Sequence, residues 1–368
     1  MRIALVILHA DPARGGAERY TVDLAAALAR RGHDVSLVAS SFAAPIVGVA
    51  NVTLDSAGLT RAGRYRGFLN ALDAHLAATT YDVVHAMLPV RRCDVYHPHA
   101  GIAAAAEQKW NIHVNPRRKR MAAVECELLA GRSAPITIAL SEYVKRSIRA
   151  HYALPDNRLA TLFNAVDLHR FDPTRPIARA AGREDFMGFE DRPVAIMVAQ
   201  DFERKGLPAA IGALAQLPKA QRPFLFVVGK DKQPPFLKLA EQLGVRSDVA
   251  FDGWCESTER RYALAEFFVL PTKHDPCSLV VLEALAMGLP VISTVFNGAT
   301  EIMTDGVHGY VLKDPTDVDA LADAMRKLLD PERRRAMSEA CLALRPKLSY
   351  EHHLDELMKI YDRARRRE

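Results

Sequence analysis

Short apolar runs alternate along most of the chain with longer segments whose apolar residues recur at helical spacing, the pattern of successive βα units. Residues 3 to 9 read as an alternating, buried strand. A loop with Gly15 and Gly16 follows, and Tyr20, Leu24, Ala27 and Leu28 then share one helical face until Arg31 and Gly32 end the helix. DVSLVAS (34–40) supplies the next strand and completes a βαβ unit. Helical spacing returns at Phe68, Leu69, Leu72 and Leu76, followed by a strand in YDVVHA and a strand and helix in SAPITIALSEYVKRSI. A stretch rich in Pro, Arg and Gly (172–192) marks a boundary, after which the alternation starts again with PVAIMVAQ, LPAAIGALAQL, PFLFVVGK, VAFDGW and AEFFVL. The pattern predicts an α/β protein of two doubly wound domains: 1–170, 171–349, and a final helix over 350–368 that packs back on the first domain.

Composition narrows the class. With 368 residues the chain is too long for one ordinary core and suits two. Half of it is apolar and a quarter charged, as in soluble globular proteins, and no run reaches transmembrane length. The opening RIALVILHA meets Asp11 where a signal peptide would continue toward its cleavage site, so it reads as a first strand. Cys93, Cys126, Cys255, Cys277 and Cys341 are scattered and form no C-x-x-C pair, which predicts reduced thiols in the cytoplasm and argues against a zinc site. The net charge of +5 is mild, so its distribution matters more than its sum.

The segment from His274 to Ile292, HDPCSLVVLEALAMGLPVI, concentrates the chemistry. An apolar strand stops at Pro271, a turn with Asp275 leads to Ser278 as N-cap, and the free amides near Leu279 and Val280 suit an anion such as a diphosphate. Glu283 stands among Val280, Val281, Leu282, Ala284 and Leu285, where a charge needs a partner and ligand hydroxyls would serve. Gly288 and Pro290 stop the helix. Arg204 and Lys205, in DFERKG, lie at a strand's C-terminal end, where open α/β sheets bind ligands. His97 and His99 would face the same way in an extended strand; a metal would need ligands that are not in view. From Lys109 to Arg120 the run Arg117, Arg118, Lys119, Arg120 accompanies Trp110. Such a stretch is either a solvated face or a dock for an anionic membrane surface, and no recognised nucleic-acid module accompanies it.

These motifs together resemble the retaining family 4 glycosyltransferases. The segment from His274 to Ile292 looks like that family's E-x7-E signature, with Asp275 at the first acid and Glu283 at the second; the resemblance implies that the first touches the donor sugar and the second holds the nucleotide ribose. FERKG resembles the F-x-R-K-G loop, which implies that Arg204 and Lys205 hold the donor diphosphate. GGAER resembles the glycine loop near the donor phosphate, and FNAVDLHRF the N-G-V-D hinge with Ala165 for its glycine. His99, before Ala100 and Gly101, sits where many members place a histidine beside the donor sugar, with His97 as its alternate. DVYHPHAG and the basic stretch resemble the lipopolysaccharide core glucosyltransferases that extend a lipid-linked heptose. The resemblance implies the GT-B fold, two Rossmann-like domains facing a cleft. It further implies a hexosyltransferase that takes a nucleoside diphosphate sugar, UDP-linked or similar, to a glycan or lipid-linked acceptor, without metal or other cofactor and without nucleic acid. The location expected is cytoplasmic, or peripheral on the inner face of the cell membrane. An epimerase of the same fold, or a non-catalytic carbohydrate or lipid binder, is the alternative.

Overall fold

The computed structural model describes residues 1–99, 101–105, 116–131, 133–174, 192–255 and 257–366. The chain divides into two compact units, Met1–Asn164 with Tyr350–Glu368, and Ala165–Ser349. In the first unit, β1 (Arg2–Val6), β2 (Asp34–Ala39), β3 (Val49–Thr53), β4 (Val83–Ala86), β5 (Val95–Tyr96), β6 (Ile136–Ala139) and β7 (Leu159–Thr161) form one sheet in the order 3-2-1-4-5-6-7. In the second, β8 (Val194–Val198), β9 (Phe224–Val228), β10 (Val249–Gly253), β11 (Phe267–Leu270), β12 (Val291–Thr294) and β13 (Gly309–Leu312) run 10-9-8-11-12-13. All pairings within these two sheets are parallel. Each unit has the α/β, doubly wound architecture read from the sequence.

One detail of that reading is corrected. The first strand ends at Val6, and Ile3, Ala4, Leu5 and Val6 are all buried instead of alternating in and out. Parallel strands are covered on both faces, so they select a continuous apolar run. The order of strands then fixes where ligands can reach each unit. Both sheets start in the middle, add two strands to one side, and return to add the fourth to the other. This reversal falls between β1 and β4 in the first sheet and between β8 and β11 in the second. Loops leaving adjacent strands diverge there and open a crevice beyond the carboxyl ends.

The final helix, Tyr350–Arg366, belongs to the first unit and packs on the helix Gly16–Arg30 and on β4. It buries His353, Leu354, Leu357, Ile360, Tyr361 and Ala364, the single stripe of an amphipathic helix. Each buried Leu or Ile contributes roughly 1.5–3 kcal/mol as an upper bound. The helix Pro116–Ala130 is anchored differently. Its wholly buried Glu125 accepts hydrogen bonds from the hydroxyls of Tyr96 (2.5 Å) and Tyr152 (2.9 Å) and from the amides of Ala103 (3.0 Å) and Ala104 (3.1 Å), so the buried carboxylate is well supplied with donors. No helix among the described residues is long and apolar enough to cross a membrane.

Candidate active site

The switch point of the second sheet collects most of the charged candidates, because the loop after β8 carries Arg204 and Lys205 and the loop after β11 carries Asp275 and Ser278. Asp201 has φ 62°, which Asp tolerates better than most residues, and from there its carboxylate receives the Arg204 Nε–H (2.7 Å) and the Arg204 amide (3.2 Å). Gly206 has φ 84°, and any side chain there would collide with the Pro271 carbonyl. Glycine therefore lets the two loops lie against each other. Arg204 uses this closeness to donate from Nη1 to the His274 carbonyl (2.8 Å), and its own carbonyl receives the Lys273 amide (2.9 Å). Lys205 crosses to form an ion pair with Asp275.

Asp275 is buried, 7% exposed, and its charge is stabilised from several sides. Burial pushes its pKa up. The opposing pull of the Lys205 ammonium, with help from Arg204 and a hydrogen bond from Ser278, leaves it below the ordinary carboxylate value. Ser278 is the N-cap residue of the helix Leu279–Ala286, but its side chain makes no capping bond. The first-turn amides of Leu279 and Val280 have no partner among the described residues and stand half-buried at the helix start. Asn297, fully buried, fastens this turn: its Oδ1 accepts from the amides of Ser278 (3.2 Å) and Ala299 (3.1 Å), and its Nδ2 donates to Ser293 Oγ (3.1 Å) at the end of β12.

Glu283 lies one turn further along the same helix, partly exposed, and accepts from the hydroxyl of buried Tyr262 (2.9 Å), which also reaches the Val280 carbonyl (3.2 Å). Burial, then the nearby carboxylate, raises the phenol's pKa well above its ordinary value, so Tyr262 stays a donor. The helix stops where the sequence indicates: Met287 is the C-cap and Gly288 has φ 74°.

In the first unit Gly15 is the N-cap of the helix Gly16–Arg30, with extended backbone that any residue adopts. A Cβ at Gly15 would stand 3.2 Å from the end of the Glu18 side chain, which would have to shift slightly to admit it. β5 ends before His97, so His97 and His99 stand in the loop beyond it and not in an extended strand. Both are buried all the same, with ring centroids 5.4 Å apart. His99 Nε2 lies 2.8 Å from Asn164 Oδ1, and its ring is 4.6 Å from Tyr20. His97 stacks on His85 (5.4 Å) and meets the edge of Tyr20 (5.4 Å); among the described residues neither of its ring nitrogens has a hydrogen-bond partner. Tyr20 is bonded through its hydroxyl to His353 Nε2 (2.8 Å), whose Nδ1 donates to the Phe163 carbonyl (2.8 Å). Burial pushes His85 down to about 3 and His353 to about 4, and holds His97 well below the usual histidine value. These rings are neutral at pH 7. Among the described residues no group of three or more His, Cys, Asp or Glu is arranged to hold a metal ion.

The basic stretch divides. Lys109 and Trp110 lie outside the described residues, whereas Arg117 to Arg120 form the first turn of the helix Pro116–Ala130, with Arg118, Lys119 and Arg120 exposed and Arg117 half-buried. Sequence reasoning missed Tyr262, Asn297 and Asp201 in the second unit, and Tyr20, Asn164 and His353 in the first. Except for Asp201, whose partner Arg204 stands three residues on within DFERKG, these act through partners distant in sequence, and only Asp201 and the Asn of FNAVD stood in motifs already noticed.

Comparison with known proteins agrees with this arrangement over nearly the whole chain. The family model described as Glycosyltransferase Family 4 matches residues 14–170, and the one described as Glycosyl transferases group 1 matches residues 182–341. The lipopolysaccharide glucosyltransferase WaaG of Escherichia coli K12 is 28% identical over 322 residues, 86% of each chain. The crystal structure of WaaG, a glycosyltransferase involved in lipopolysaccharide biosynthesis, superposes with a TM-score of 0.84 at 25% identity, covering 97% of this chain and 99% of that one. The Anabaena protein HepE, solved in complex with UDP-glucose, shares the fold with a TM-score of 0.74 at 18% identity over 98% of both chains. Two matched domains and two doubly wound sheets make this chain a member of the glycosyltransferases, an enzyme of the GT-B fold with a family 4 domain followed by a group 1 domain.

Proposed function

We propose that the enzyme transfers a hexose, with retention at the anomeric carbon, from a nucleoside diphosphate donor to a hydroxyl of a glycan or lipid-linked sugar in cell-envelope assembly, as in the lipopolysaccharide core. The observation that carries this reading is the join of two loops at the second switch point, where Arg204, Lys205 and the partnerless amides of Leu279 and Val280 share one rim. Cations and a helix N-terminus together suit the charge that develops on a departing diphosphate. In the step envisaged, the bond from C1 to the diphosphate oxygen breaks while C1 bonds to the acceptor oxygen on the same face. The acceptor proton passes to the departing diphosphate oxygen, so no carboxylate need become a covalent nucleophile. Asp275 would meet the donor sugar, Glu283 the ribose hydroxyls, and His99, with His97 as its alternate, the sugar; Gly15 and Gly16 would admit the phosphate.

That WaaG is a lipopolysaccharide glucosyltransferase supports a glucose donor and a lipopolysaccharide acceptor, and HepE's bound UDP-glucose supports uridine as the base. Exposed Arg118, Lys119 and Arg120, with Lys109 and Trp110, would hold the enzyme at an anionic membrane surface on the cytoplasmic side, at roughly 1 kcal/mol per basic residue. The decisive experiment is a hydrolysis and transfer screen across UDP, GDP and ADP hexoses, with the product anomer read by NMR. Release of UDP from a UDP-hexose and an α-linked product are expected; an inverted anomer, or epimerised donor without transfer, would overturn the reading.

A further inference from the structure

In the buried stripe of the final helix, Leu354, Leu357, Ile360 and Ala364 hold the helix in place by apolar burial and need no particular partner. His353 stands in the same stripe and is 2% exposed. An imidazole taken that far out of water is costly unless its nitrogens are bonded, and a leucine would anchor the helix without that demand. What a fully bonded imidazole adds is direction, since a satisfied polar network fixes one arrangement of its members.

Both nitrogens of His353 are in use, and their partners settle where the hydrogens lie. Nδ1 is 2.8 Å from the Phe163 carbonyl, which can only accept, so Nδ1 carries the hydrogen. Nε2 is 2.8 Å from the Tyr20 hydroxyl and must then accept from it. His353 thereby ties down two segments at once, the helix Gly16–Arg30 through Tyr20 and the chain at 163–164 through Phe163. The same two segments hold His99. The Tyr20 ring lies over the His99 ring, with centroids 4.6 Å apart and planes tilted by 35°, and Asn164, next to Phe163, places its Oδ1 2.8 Å from His99 Nε2. An amide oxygen only accepts, so His99 carries a hydrogen at Nε2 and, when neutral, its lone pair at Nδ1. His97 is held by ring packing on His85 and Tyr20, and among the described residues neither of its nitrogens has a hydrogen-bond partner.

We propose that His353 is a positioning residue for His99: by bonding Tyr20 and the Phe163 carbonyl it keeps the His99 ring in one orientation and one tautomer, with the hydrogen at Nε2 and the acceptor at Nδ1. The effect on the reaction rests on the reading of His99 as a donor-sugar contact; the effect on the ring does not. His353 itself need not touch a substrate. Burial keeps its own ring neutral, with a pKa of about 4, so the pattern of donors and acceptors stands at pH 7.

The test is long-range proton–nitrogen NMR of the full chain with isotope-labelled histidine and no ligand, on wild type, His353→Phe, His353→Gln and Leu357→Ala. The His99 signals are assigned by their loss in His99→Gln, and UDP release from UDP-glucose is measured alongside. Wild type should show a single His99 tautomer with the hydrogen at Nε2. His353→Phe keeps a ring of similar shape but bonds neither partner. His99 should then populate both tautomers, and kcat should fall about tenfold or more while KM for UDP-glucose changes by less than about twofold, because misorientation costs turnover first. His353→Gln can still accept from Tyr20 but loses the donor at Nδ1, so it should fall between the two. Leu357→Ala takes apolar contact from the same helix and leaves the bonds in place; it should lower the thermal midpoint and leave the tautomer and kcat as in wild type. A wild-type hydrogen at Nδ1 would overturn the proposal, as would an unaltered tautomer in His353→Phe or, should that variant not fold, in His353→Gln. Equal disturbance by Leu357→Ala would make His353 a plain anchor of the helix and overturn it too. Mixed tautomers in His353→Phe, with full activity in both that variant and His99→Gln, would end the donor-sugar reading of His99 and leave the positioning standing.

Discussion

The two units repeat one strand order, yet their switch points are furnished in opposite ways. Beyond β8 and β11 nearly every charge has its complement within reach: Lys205 with Asp275, Arg204 with Asp201, Arg261 with Asp252 at 2.6 Å, and Tyr262 donating to Glu283. Beyond β1 and β5, by contrast, the histidines gathered in the interior are neutral rings. Paired charge can be held in place before a ligand arrives and redirected when it does, at little cost in reorganisation. A neutral buried cluster, by contrast, contributes shape and rigidity. The fold leaves this choice open, because strand order fixes only where side chains converge, and the residues at the strand ends decide what converges there.

The largest expected effect comes from breaking the paired end. Lys205→Ala removes a cation that would act on charge formed in the transition state, so turnover should fall by about 10²- to 10³-fold with little change in the acceptor's KM. Steady-state kinetics settle this, and a fall confined to KM would assign Lys205 to simple binding. Next in size is Glu283→Gln. The Tyr262 hydroxyl can still donate to the amide oxygen, so the turn should hold, while ribose hydroxyls would lose a charged acceptor worth roughly 1.5–3 kcal/mol. Donor affinity should drop by about ten- to a hundredfold in calorimetry, and an unchanged affinity in a folded variant would remove the ribose role.

The third prediction sets the two ends against each other by pH. His85, His97 and His353 have folded pKa values below the unfolded 6.5, so the unfolded chain binds more protons in between; their stabilisation is complete above about 6.5 and is lost as pH falls toward their folded values. For His353, moved to about 4, this amounts to something on the order of 3 kcal/mol. Asp275 also favours the folded state above its unfolded value and loses that contribution as pH falls through its lowered one, so its window opens only below about 4. Hydrogen exchange at pH 5 should therefore quicken first in Tyr350–Arg366 and in the helix Gly16–Arg30, and later around Leu279–Ala286. The reverse order would mean that the histidine cluster does not govern acid stability.

Much of the second site was legible from local sequence, because its chemistry lies in two continuous motifs whose backbone needs specific residue types. Gly206, Gly288 and Pro290 announce themselves, and an acid inside LVVLEALA asks for a partner. What that partner is could not be read: Tyr262 sits on a helix of barely more than a turn, Thr258–Tyr262, and finds Glu283 only through packing. Asn297 was hidden for the same reason, being joined to Ser278 across β12. In the first unit β3 left little trace, since VANVT is an edge strand, largely exposed, with no apolar run to mark it. The histidine cluster was least legible, because His353 meets Tyr20 from 333 residues away and no spacing rule spans that distance.

The return of Tyr350–Arg366 to the first unit has a consequence for the order in which the molecule comes into being. On the ribosome the chain emerges from its N-terminus, so residues 165–349 can close their own core from contiguous sequence while the first unit still lacks its final helix. Until the last residues are released, Tyr20 has no His353 and His85 has no Tyr361, and apolar surface meant for Leu354, Leu357 and Ile360 stays open to water or to a chaperone. Of the two units, the one made first is thus the one that is completed last.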